Sequence, residues 1–145
     1  MLQRNREVDG NFKGWHQLYR RCEKEDIIGD RLNPSRIKYA NTSVNWSKYS
    51  KPWDVVFDHP KQGIAQLSVH HLPTELPKKP PAGAKPVLHS FLPEHYPEQQ
   101  NYSHSQIMTF KAGVKLVKPE LPATVKKEFR TIVSDRSLIL LMPDI

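Results

Sequence analysis

The chain has 145 residues, 22 of them basic and 15 acidic, for a net charge of +7, and 37% of it is hydrophobic. That share lies below the roughly 45–50% of a typical globular chain, and no apolar run reaches the roughly 18 residues of a membrane span. The single cysteine excludes an internal disulfide framework and fits a reducing compartment, while the charge favours an acidic or polyanionic partner.

Met1 to Phe12 is polar and reads as an arm. It lacks the apolar core of a secretory signal and the acid-poor amphipathic pattern of a transit peptide, so the chain is expected to be soluble and without an address. The matches to the N-glycosylation pattern at Asn41, Asn45 and Asn101 are accordingly read as chance. Gly14 to Ile28 is the first predicted helix. Trp15, Leu18, Tyr19 and Cys22 fall at i, i+3, i+4 and i+7, one helical face, and Gly29 follows as a stop. Cys22 on that face is expected to be a packed, inert thiol. Leu18-Tyr19-Arg20 resembles the tripeptide of the LYR family of mitochondrial accessory and assembly factors. The match covers three residues. That family is a three-helix bundle, which the prolines after residue 33 forbid here.

Asn33-Pro34-Ser35 opens a turn. From Ile37 to Pro60, Tyr39, Trp46, Tyr49, Trp53 and Phe57 are interleaved with lysines. Three readings stay open: a base-stacking surface, anchors in apolar pockets of an acidic protein, or a local core. Asp54 to Asp58, with Val55-Val56-Phe57, predicts a short strand. Ala65, Leu67 and Val69 alternate with polar residues and predict another over Gly63 to Val69.

Seven of the 13 prolines fall between Pro73 and Pro97. Each fixes φ and lacks a backbone donor, so the stretch is predicted to be extended, partly polyproline II. Leu72, Leu76, Val87, Leu88, Phe91, Leu92 and Tyr96 within it point to a segment held open by a partner, the alternative being a solvated linker. Pro77-Lys78-Lys79-Pro80 matches the PxxP pattern of polyproline ligands. Beyond it, Gln106 to Val117 predicts a hairpin turning at Lys111-Ala112-Gly113. A helix is predicted from near Pro122, with Val125, Phe129, Ile132 and Val133 on one face. Leu138 to Met142 predicts a final strand or docking tail.

No catalytic, cofactor or metal constellation emerges. The seven histidines show no convergent ligand spacing. Asp54, Asp58 and His59 lie near one another without a visible pocket. The glycines form no phosphate loop. The expectation is therefore a non-enzymatic protein without cofactor, metal or small-molecule substrate.

The predicted fold class is a mostly irregular, extended chain with two short α-helices and a few short strands, the alternative being a small α+β domain with a long Pro-rich loop. Its divisions are an arm and helix over 1–33, an aromatic and basic segment over 34–72, an extended Pro-rich segment over 73–105, and a hairpin and helix clamp over 106–145. The functional expectation is a structural accessory subunit lying along a large assembly with an acidic surface. The favoured assembly is a tubulin lattice, with the chain as a lining protein of the ciliary or flagellar axoneme in the cytoplasmic cytoskeleton. The alternatives are a ribonucleoprotein such as the mitochondrial ribosome, with RNA as partner, and a small independent adaptor or binding domain. No membrane partner is expected. The predicted partner anchors are Trp15, Tyr19, Trp46, Tyr49, Trp53, Phe91 and Tyr96.

Overall fold

A run of Leu, Tyr, Arg, Arg and Cys that reads as helical is the heart of a β-sheet. In the computed structural model, which describes residues 7–38, 42–55, 61–83, 85–118 and 120–143, β1 (Gln17–Cys22) is an interior strand. It pairs antiparallel with β4 (Thr42–Trp46) on one side and β5 (Gly63–Ser68) on the other. Beyond β4 lie β7 (His104–Lys111) and then β6 (His89–His95); beyond β5 lies β9 (Leu138–Leu141). A two-residue strand, β8 (Val114–Lys115), pairs with the end of β7 to complete a seven-stranded sheet. A separate hairpin joins β2 (Ile27–Ile28) to β3 (Arg31–Leu32) through Gly29, at φ +64°. Every pairing in both sheets is antiparallel.

The expectation of a mostly irregular chain with two helices is thus corrected to a mostly β domain with one α-helix among the described residues. The predicted helix over Gly14 to Ile28 fails because β1 is covered on both faces. Leu18 and Cys22 point into the main core, while Tyr19 points the other way into a smaller cluster with Val55, Ile64 and Leu141. Two faces both burying apolar groups erase the period-2 signal, and the residues left over fall at helical spacing. Leu18-Tyr19-Arg20 lies on this strand.

The one helix, α1 (Ala123–Arg136), follows Pro122 and buries Val125, Phe129 and Val133 on one stripe. The Phe129 ring stacks on Phe91 of β6 at 4.1 Å between centroids. The helix also fixes the 31–37 segment: Ser134 Oγ donates to the Leu32 carbonyl at 2.6 Å, and Arg130 Nε donates to the Ile37 carbonyl at 3.0 Å. The main core therefore lies between the inner face of the sheet, α1 and this segment.

The Pro-rich stretch is extended at first, as its prolines dictate, but what holds it is the protein's own sheet. Leu76 is fully buried and exchanges two backbone bonds with His89 of β6, at 2.9 and 2.8 Å, while Phe91 N donates to Pro73 O at 3.0 Å. Residues 72–77 thus form a strap along the outer edge of β6. Pro93 also lies in β6, where the alternation of bonds turns its missing donor to the outside, the position a strand proline tolerates. At the 54–58 stretch, Pro52–Val55 forms a 3-10 turn, and Val56 and Phe57 lie outside the described residues.

Candidate binding sites

The predicted anchors divide by burial. Trp46 and Phe91 are 0% exposed and Tyr19 is buried, so their rings pack inside the fold. Trp15 and Trp53 are 72% and 69% exposed, and Tyr49 and Tyr96 are partly so. Trp46 is the centre of an aromatic end of the sheet. Phe12 stacks on it at 3.7 Å, and Tyr49 and His95 meet it edge-on at 5.3 and 5.4 Å. This end is closed by the arm. The Asp9 carboxylate bonds both Lys48 Nζ and the Tyr49 hydroxyl at 2.5 Å, which holds it well below the usual carboxylate range. Asp9 N donates to His95 Nδ1 at 2.8 Å, and the other ring nitrogen of His95 then donates to Tyr102 O at 2.6 Å. Tyr96 lines an open groove beside this arm.

Several of the described histidines serve structure. The ring of His16 accepts from Lys13 N at 2.9 Å, and burial pushes its pKa below the ordinary value. His104 bonds the Tyr96 carbonyl at 2.8 Å. Among the described residues no group of His, Cys, Asp and Glu converges to hold a metal. Asp54 accepts from Lys51 N at 2.8 Å and so closes its own 3-10 turn; Asp58 and His59 lie outside the described residues. Cys22 is buried, and loss of solvation pushes its thiol up to about 11.

Two concavities remain. The first is an open trough of about 630 Å³ between the Pro-rich loop and α1, walled by Lys78 and Lys79 on one side and Lys127 on the other, with Thr131 and Ile132 in its lining. Its one carboxylate, Glu128, accepts from two successive backbone donors, Lys78 N at 2.6 Å and Lys79 N at 3.2 Å. The Pro77-Lys78-Lys79-Pro80 stretch is therefore clamped to the helix, with Pro77 buried, rather than presented as a free polyproline ligand. The three lysines are exposed, with no ion pair among the described residues. No acidic residue occupies the first turn of α1, so nothing there offsets them.

The second concavity is a small cavity of about 40 Å³ beneath the sheet, where β1, β4 and β5 face α1 and the 31–38 segment. Its lining is apolar apart from a few groups, chiefly Arg20, Asp26, Arg36 and Lys38.

Sequence reasoning singled out Lys78 and Lys79 within the Pro-rich stretch but not their meeting with α1, since 50 residues separate Lys78 from the Glu128 that docks it. It singled out no residue of the cavity as polar and inward-facing; Arg20, at the inner side of β1, was the available signal. Comparison with known proteins found no matching family model, no matching curated protein and no matching solved structure.

Proposed function

We propose that the protein is a non-enzymatic binding domain that docks an acidic protein segment in the trough between the Pro-rich loop and α1. The observation that carries this reading is the pairing inside the trough. Glu128 is engaged by the backbone N–H groups of Lys78 and Lys79, and the ammonium groups of Lys78, Lys79 and Lys127 face solvent. A +7 chain with a groove walled by three lysines against one carboxylate attracts acidic surfaces and speeds their encounter.

The trough's lining includes Ala123, Thr124, Thr131 and Ile132 and contains no aromatic ring. It therefore lacks the stacking platform that single-stranded nucleic acids use, which favours protein over RNA. The lining-protein expectation rested on a chain lying extended along a lattice, and the sheet removes that premise. An acidic surface such as tubulin's remains within the class of partner, reached now by docking a folded domain.

The test is fluorescence anisotropy with a labelled Glu/Asp-rich 12-residue peptide and, in parallel, a 12-nucleotide single-stranded RNA. The peptide should bind at low salt, weaken as salt rises, and lose binding when Lys78, Lys79 and Lys127 are all changed to Glu. Peptide binding that survives this triple change, or RNA binding tighter than the peptide, overturns the proposal.

A further inference from the structure

Arg20 stands where the fold calls for an apolar side chain. It lies between Leu18 and Cys22 on the inward face of β1, opposite Ala65 of β5. Both inward neighbours belong to the main core. Its guanidinium borders the cavity beneath the sheet, whose remaining wall includes Leu18, Val44, Leu67, Phe129 and Val133.

The counter-charge is shared: Asp26 acts on Arg20 from a distance and also pairs with Arg36. Among the described residues the one hydrogen-bond acceptor of Arg20 is the Ser43 carbonyl, at 3.5 Å from Nη1 and outside the usual 2.7–3.2 Å range. The cavity's acid, Asp26, is engaged elsewhere: one oxygen accepts from Glu23 N at 2.8 Å and the other meets Arg36 Nε at 3.4 Å. Burial pushes the Arg20 pKa below its ordinary value, Asp26 offsets part of that, and the group stays charged at neutral pH. Two further cations, Arg36 and Lys38, are exposed and mark the open side. Arg20 is half-buried, and a guanidinium so placed is commonly met by a planar anion that matches its fork of donors.

We propose that this cavity binds a small carboxylate with a short apolar tail. The carboxylate meets Arg20, with Arg36 and Lys38 drawing it in, and the tail lies among Leu18, Val44, Leu67 and Phe129. The space, about 40 Å³ open to a water's centre, suits a tail of a few carbons: one water needs roughly 10–15 Å³ on this measure.

The probe is hexanoate, with 1-hexanol as its neutral match and inorganic phosphate as the anion without a tail. The readout is the methyl resonances of Leu18, Val44, Leu67 and Val133 in the full chain. Hexanoate should shift these saturably. The alcohol and the phosphate should each bind about tenfold or more weaker, the scale of one lost charge-assisted contact. Arg20→Gln should lose hexanoate binding to a similar degree, with Arg20→Lys in between. The proposal is overturned if hexanoate leaves these methyls unmoved, if hexanol or phosphate matches it, or if folded Arg20→Gln binds as well as the parent. Should Arg20→Gln fail to fold, the three ligands on the unchanged protein decide the matter alone.

Discussion

The two edges of the sheet are protected by opposite means. The β6 edge is covered: Pro73 and Leu76 pair with it, Pro93 removes a donor from it, and Asp9 N caps His95 at its far end. The β9 edge is four residues of Leu-Ile-Leu-Leu, with Leu138 60% exposed and Leu140 partly exposed, and its defence is its shortness and the proline that follows at 143. Bare strand edges recruit other strands. One edge is therefore a structural seam, built from residues far apart in sequence, and the other a thin margin that can fray without opening the core.

That contrast can be broken by substitution. Leu76→Ala empties a fully buried site in the strap and should destabilise the protein by about 2–5 kcal/mol in denaturant unfolding. Leu140→Ala on the opposite edge should stay within about 0.5 kcal/mol. Equal effects would end the distinction. Gly63→Ala should come next. A Cβ at Gly63 lies 2.2 Å from Leu141 O and 2.8 Å from Pro143 Cδ, so β9 must move aside, at a cost of about 1–3 kcal/mol.

Cys22 pairs with Gly63 and reports the same event chemically. With its thiol near 11, it should resist thiol reagents at pH 8 in the parent protein and react faster in Gly63→Ala. Unchanged labelling would show that β9 stays in place. On the β6 side, Ala112 turns the β7–β8 hairpin at φ +50° and donates its N–H to Leu88 O, just before β6. Ala112→Gly relieves the left-handed strain and should raise stability by about 0.5–1 kcal/mol; a loss would show that the turn is not strained.

The mildest test is acid. His71 leads into the strap, and burial, with His70 and Arg136 nearby, lowers its pKa. A lowered folded value means that the stabilisation is present above the ordinary value of 6.5 and is lost as pH falls through that value towards the folded pKa. Hydrogen-exchange protection of the His89 and Phe91 amides, which bond the strap, should thus fall from pH 7 to pH 5 before that of β9 does. The reverse order would overturn this assignment.

Where local pattern and tertiary environment agree, the sequence was legible. Val125, Phe129 and Val133 after Pro122 spell α1; alternation marks β5; Ala112-Gly113 marks the hairpin turn; Leu138 to Leu141 forms the strand. It was illegible where burial came from two sides, as at Leu18 and Tyr19, and where an extended stretch found its partner in the same chain, as Leu76 found His89. The trough was half visible in the adjacent Lys78 and Lys79 of the Pro-rich stretch. The cavity was hidden because Leu18, Val44, Leu67 and Phe129 come from four separate elements. Arg20 is the place where the inward pattern breaks, and such breaks in local consistency tend to fall at functional sites.

The order of elements along the chain has a consequence for biosynthesis. Strands β1 and β4 to β7 are all made before α1, which covers their inner face, and before β9, which completes their sheet. During translation the nascent sheet therefore carries a bare apolar face until α1 is released. Pairings such as β1 with β5 span long stretches of sequence and close slowly. In that interval the half-built domain exposes apolar surface of the kind that chaperones shield, and α1 is the element that covers it.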